Sequence, residues 1–176
     1  GILTALIQIA ADELDIAQER FDVLSGHTAL GPLEGQTSSS LSIEITGRAV
    51  RQAASALRNC LAAEAAKLLQ ASPEAIRFED GEVLAESRAT PLSAWSLAAT
   101  TGIDFAVTEH ALPKPVGERR IIGTSWPRWD LLEKASTGAF IQDLAPAGML
   151  HGRVLQAPTA ASRIEQFDEQ ALTARF

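Results

Sequence analysis

The chain holds a single cysteine, Cys60, among its 176 residues. That scarcity excludes an internal disulfide, and with it any iron–sulfur cluster or structural zinc site built from the chain's own thiolates. Cys60 falls at an apolar helical position and reads as a small buried hydrophobe. Basic residues are also in deficit. Fifteen Lys and Arg face 22 Asp and Glu, for a net charge of −7, and no basic stripe marks a nucleic-acid surface. No apolar run is long enough to span a bilayer. Residues 1–11 are apolar but lack the basic flank of a signal peptide. His27, His110 and His151 share no metal-ligand spacing. There is no internal repeat, no low-complexity segment, no nucleophile-elbow serine and no phosphate-loop motif.

What is present reads as an α+β chain. Leu3, Leu6, Ile7, Ala10 and Leu14 recur at helical spacing. A second helix is expected over about Ser40–Gln70, with Val50, Ala53, Ala54, Leu57, Leu61, Ala65 and Leu68 on its apolar face. Arg48, Arg51, Gln52, Ser55, Arg58 and Lys67 fall largely off that face. Gly47 costs this helix roughly 1 kcal/mol relative to alanine, which suggests a close backbone approach or a late helix start. Phe21–Ser25 reads as a short strand and residues 26–35 as a loop. Asp80-Gly81, between Ala75–Phe78 and Glu82–Ala85, signals a hairpin. Pro91–Ala99 is expected to be a short helix capped by Thr90. Pro113-Lys114-Pro115 reads as an extended linker at a domain boundary. Beyond it, residues 139–141, 149–155 and 163–167 are candidate strands, 144–148 a turn, and Asp168 the cap of a short helix. Exposed apolar faces are expected on both main helices, and they could drive self-association.

The most informative stretch is Gly35-Gln36-Thr37-Ser38-Ser39-Ser40-Leu41-Ser42, which runs straight into the second helix. Small hydroxyl residues at a helix start can offer backbone N–H groups and hydroxyls to an anion. The same pattern is also that of a flexible loop with an N-cap.

Two blocks carry a family resemblance. Gly1-Ile2-Leu3-Thr4, followed by Gln8-Ile9-Ala10-Ala11-Asp12-Glu13-Leu14, is similar to a segment in which a Gly-Gln-Gly turn opens a helix. It continues in Thr37 to Val50, which is similar to T-A-A-S-x-S-x-D-x-N-G-x-A-V. There Ser38-Ser39 replace Ala-Ala, and Glu44 stands where the pattern has Asp. The second block is Pro127-Arg128-Trp129-Asp130 with Lys134 and Gly138, then Asp143-Leu144 and Pro146-Ala147-Gly148-Met149-Leu150-His151-Gly152-Arg153-Val154. Together the blocks resemble the molybdopterin-binding large subunit of the xanthine dehydrogenase and aldehyde oxidase family. The domain order is that of the bacterial branch related to isoquinoline oxidoreductase and nicotinate dehydrogenase.

The resemblance implies a partial molybdopterin-binding domain over residues 1–112 and the start of an a/b-hammerhead-like domain over 113–176. It implies that Gly1, Thr37, Ser38, Ser39, Ser40 and Ser42 lie at the cofactor, which is molybdopterin or its dinucleotide. It implies a molybdenum hydroxylase that oxidises aldehydes or N-heterocycles with oxygen from water. Its electrons would leave through iron–sulfur centres of a partner. The family's catalytic glutamate belongs near the far end of the full subunit. These residues, which start abruptly in helix-forming sequence, are therefore expected to be an inactive piece that holds no cofactor alone. The alternative is a non-catalytic α+β assembly module, since no complete catalytic constellation lies within the chain.

Overall fold

The computed structural model describes residues 1–33, 35–102, 107, 112–136, 140–166 and 168–174. The chain divides into two compact units, Gly1–Gly138 and Ala139–Phe176. The first is α+β, as expected. It contains α1 (Ile2–Leu14), α2 (Leu41–Leu69), β1 (Ile76–Glu79), β2 (Glu82–Ala85), β3 (Arg88–Ser93), α3 (Ala94–Thr101) and α4 (Leu131–Ser136). The strands form one antiparallel sheet in the order β1-β2-β3. Both hairpin turns place two successive residues at positive φ, Asp80-Gly81 and Glu86-Ser87. That is the backbone whose twist matches the flanking strands. Ile76, Phe78 and Val83 turn inward and join Leu61, Ala65 and Ala66 of α2 with Ala94 and Leu97 of α3 in one core.

α1 and α2 end in left-handed residues, Asp15 and Gln70, whose N–H groups return to carbonyls one turn back. Such ends satisfy carbonyls that a helix otherwise leaves open. Gly47 sits six residues inside α2, where an added Cβ would lie 3.2 Å from Ile9 Cδ1. The glycine therefore marks close approach of α1, not a late helix start.

Several expectations fail for identifiable reasons. Phe21–Ser25 pairs with nothing and is not a strand. Thr90-Pro91 do not open a helix. Both lie in β3, an edge strand, where proline costs no ladder bond, and Thr90 Oγ1 donates to Val83 O at 2.7 Å. The helix begins three residues later, where Ser93 and Ser96 form a reciprocal capping box. The apolar face assigned to α2 is rotated: Ala53 and Leu68 are exposed, whereas Ser55 is fully buried. Cys60 is only half-buried. α1 carries no exposed large apolar residue, because it packs between α2 and residues 120–129; exposed apolar residues on α2 include Leu41, Ile43, Ile45 and Leu68.

The second unit has no buried residue among those described. Residues 149–155 and 163–166 form no strand and pair with none, and a strand needs a ladder partner to satisfy its backbone groups. Positions 139 and 167, included in the expected strands, lie outside the described residues. The turn is present, with Met149 N donating to Pro146 O at 3.0 Å. So is the short helix α5 (Glu169–Thr173), capped by a 2.9 Å bond from Ala171 N to Asp168 Oδ1. Leu150 is 93% exposed, and Val154, Leu155 and Ile164 nearly as much.

Candidate functional site

Two helix starts are brought to one end of the first unit. Ile9 of α1 lies against Gly47 of α2, and Glu13, one turn further along α1, meets Arg51 and Arg58, further along α2. The helices therefore run in the same direction. At 1.5 Å per residue, Gly1 lies roughly 12 Å before Ile9, and Ser40 roughly 10 Å before Gly47. Gly1 is the N-cap of α1 and Ser40 that of α2. Both helices turn their partly positive ends to the same side.

The α2 start has an unusual backbone. Ser39 and Ser40 both hold positive φ, 45° and 64°. Leu41 N donates to Ser38 O at 2.8 Å, and Ser42 Oγ donates to Thr37 Oγ1 at 3.0 Å. Ser40 makes no side-chain cap, so its hydroxyl is not committed to its own helix. Residues 35–41 are exposed. Small exposed hydroxyls at the positive end of a helix suit an anion with several acceptor oxygens. Glu44, the acid in this first turn, is exposed and its N–H donates to Ser40 O at 3.3 Å. The other candidates do not converge. His27 Nδ1 accepts from Ala29 N in its own loop, His151 is exposed, and His110 lies outside the described residues. No group of three or more His, Cys, Asp or Glu among the described residues could hold a metal ion.

A buried polar clamp fixes the two helices. Glu13 is completely buried. Its carboxylate receives Arg58 Nη1 at 3.1 Å and faces Arg51 Nε at 3.7 Å. It also accepts the Lys114 backbone N–H at 3.0 and 3.1 Å. Lys114 Nζ donates to Asp12 O and to Asp15 Oδ1, each at 2.6 Å. Residues 113–115 are thus pinned onto the end of α1 and are not a free linker. A cation there also opposes the negative end of the helix. The partners of Glu13 lie far along the chain, at Arg51, Arg58 and Lys114, so no local pattern announces the clamp.

A second set of contacts runs along α1. Thr4, Gln8 and Asp12 recur every four residues on one face. Asp12 Oδ1 accepts from Arg120 N at 2.8 Å and Ile121 N at 2.7 Å. Gln8 Nε2 donates to Thr124 O at 3.1 Å, and Thr4 Oγ1 accepts from Trp129 N at 3.0 Å. Residues 120–129 therefore run antiparallel along α1 and deliver Trp129 to its first turn. There Asp130 holds the Arg128 guanidinium at two points, one of them Nη2–Oδ2 at 3.0 Å, and pairs with Lys134 Nζ at 2.6 Å. The Arg128 hydrogen bonds, then the Lys134 bond, hold the Asp130 carboxyl well below the usual carboxylate range. No helix among the described residues is long and apolar enough to cross a membrane.

Comparison with known proteins bears on this geometry. The family described as molybdopterin cofactor-binding domain matches residues 1–121. A nicotinate dehydrogenase subunit of Pseudomonas putida is 35% identical over 99% of this chain and 15% of its own length. The nicotine 6-hydroxylase large subunit of Paenarthrobacter nicotinovorans is 41% identical over 46% of this chain and 10% of its own length. The gamma subunit of the 6-hydroxypseudooxynicotine dehydrogenase complex of the same organism is 33% identical over 56% of this chain and 12% of its own length. The chain thus spans well under a fifth of each of these relatives. No solved structure matches significantly.

Proposed function

Because the chain belongs to the molybdopterin cofactor-binding domain family, found in molybdopterin-binding subunits of the xanthine dehydrogenase type, we propose that it forms one side of the cofactor cradle of a molybdenum hydroxylase. In this reading Gly1, Thr37, Ser38, Ser39, Ser40 and Ser42 line the cofactor. The observation that carries it is the pair of parallel helix starts, one of them an exposed, uncapped run of small hydroxyl residues.

The residues fit the group. A pyranopterin with phosphate needs close approach and many donors. Gly1 and the serines offer little bulk, and the α1 N–H groups and the serine hydroxyls offer the donors. The bound cofactor supplies the redox chemistry that hydroxylates an electron-poor carbon. This chain's residues bind and orient it, and the clamp at Glu13 keeps the two helix starts level. No residue of the chain is assigned as catalytic acid or base.

The substrate class favoured is an N-heterocycle, since two of the relatives are named for nicotinate and nicotine. Electrons leave through iron–sulfur centres of a partner, in keeping with relatives named as subunits and, in one case, as part of a complex. Residues 1–112 are the cofactor-domain portion. Residues from 113 onward open a hammerhead-like domain whose first stretch is laid along α1.

The chain alone is inactive and gains its activity only within the whole subunit. The test is to prepare the full-length subunit with its partner and measure molybdenum and pterin content alongside N-heterocycle oxidation. A full complement of cofactor in the active complex is expected. A complex that turns over substrate with neither molybdenum nor pterin contradicts the proposal.

A further inference from the structure

We propose that Arg128, carried on the corner at Trp129, is a further anion-binding residue of this site and pairs with a phosphate oxygen of the cofactor. The inference rests on the cradle reading and adds a residue from outside the two helix starts. Four observations lead to it. First, the Trp129 N–H bond to Thr4 Oγ1 fixes the corner beside the first turn of α1. Thr4 is three residues, roughly 4.5 Å along the axis, from Gly1. Second, the polar rail of Gln8 and Asp12 holds the approach to this corner, so its position is set by the helix and not by a free loop.

Third, the Asp130 carboxylate grips the guanidinium through Nε and Nη2 and is itself shared with Lys134. The guanidinium is a planar fork of five donors, and gripping one edge orients the rest. Fourth, the Arg128 side chain is 43% exposed, and its Nη1 makes no hydrogen bond to a described residue. An oriented, accessible fork beside the start of α1 suits a phosphate, which guanidinium binds in bidentate fashion. Trp129 is also partly exposed, and supplies apolar surface that limits water around the pair.

The experiment uses the full-length subunit assembled with its partner. Bound molybdenum and pterin are measured after dialysis at increasing ionic strength, with thermal stability recorded in parallel. Arg128→Gln is expected to weaken cofactor retention roughly tenfold, the scale of one charge-assisted hydrogen bond, and to flatten its salt dependence. Asp130→Asn breaks the same ion pair but keeps the guanidinium charge, so retention falls clearly less than in Arg128→Gln while stability falls to the same extent. Arg128→Lys restores part of the retention as a point charge without the fork.

Equal loss of retention in Arg128→Gln and Asp130→Asn assigns Arg128 a purely structural role and overturns the proposal, as does unchanged retention in Arg128→Gln. Should Arg128→Gln fail to assemble, the comparison of Arg128→Lys with Asp130→Asn decides in the same way: the Arg128→Lys subunit must retain less cofactor than the Asp130→Asn subunit. Ser40→Asp separates the two readings. If it lowers retention while Arg128→Gln does not, only the Arg128 assignment fails. If neither lowers it, the cradle itself fails.

Discussion

Glu13 offers the most direct test of how the two helices are held. Its side chain has no exposure to solvent and meets Arg58 at 3.1 Å, Arg51 at 3.7 Å and the Lys114 N–H at 3.0 Å. Glu13→Ala removes the carboxylate these two arginines share in the clamp and leaves the Lys114 N–H without its acceptor. Removing one partner of a buried ion pair costs about 3–5 kcal/mol. The Arg58 and Arg51 side chains are 19% and 29% exposed, so water relieves part of their loss, and the lower end, about 3 kcal/mol, is expected. For a chain of this length that lowers Tm by about 6–12 °C. Glu13→Gln keeps an acceptor for Lys114 but turns an NH₂ group toward a guanidinium, for a smaller loss of about 2 kcal/mol. Urea unfolding followed by circular dichroism measures both. The midpoints should fall in the order unmodified, Gln, Ala, with unchanged slope. A loss under about 0.5 kcal/mol for Glu13→Ala, the size typical of a surface position, refutes the clamp.

Two further perturbations probe the sheet. Gly81 has φ +80°, and an added Cβ would meet the Trp95 ring at 2.2 Å. Gly81→Ala therefore combines backbone strain with overpacking and should cost about 3 kcal/mol; adding Trp95→Leu should recover part of the loss in the same unfolding assay. Asp80 accepts the Ala17 N–H at 2.8 Å and pairs with Arg20, and the Ala17 bond lowers its carboxyl from the ordinary 3.8. As pH falls through that ordinary value the unfolded chain takes up the proton first. This contribution is therefore full above about pH 5 and lost progressively below it. Asp80→Asn should flatten the acid limb of a stability–pH curve, and an unchanged limb contradicts the assignment.

Local features were legible in the sequence, and distant ones were not. The Asp80-Gly81 hairpin needs only its own φ values and alternating neighbours, so it reads correctly. α2 also reads correctly in extent, because its long run of helical pattern outweighs one glycine. Its buried face does not, because Arg51 and Arg58 find their partner in a glutamate on another helix, and Ser55 donates its hydroxyl to the distant Leu112 O. Pro91 misled because proline suits both a helix start and an edge strand, and only pairing with β2 distinguishes them. Residues 149–155 carry strand composition but find no ladder partner within their own unit. The serine run was readable as a helix start suited to an anion. Its alignment with Gly1 was not, because parallel packing of α1 and α2 is set by Gly47 and Glu13.

If the Ser38–Ser40 turn faces an anionic cofactor group, Ser40→Asp must expel that group. Aspartate tolerates the left-handed backbone that Ser40 adopts. A negative charge at a helix start adds roughly 0.3–1 kcal/mol of stability. The substitution should therefore leave folding intact or slightly strengthened, while repelling a phosphate. In the full-length subunit with its partner, an unchanged or raised Tm is expected together with a loss of bound molybdenum and pterin of at least about tenfold. A Ser40→Asp subunit that folds normally and keeps its full cofactor complement would contradict that placement of the turn.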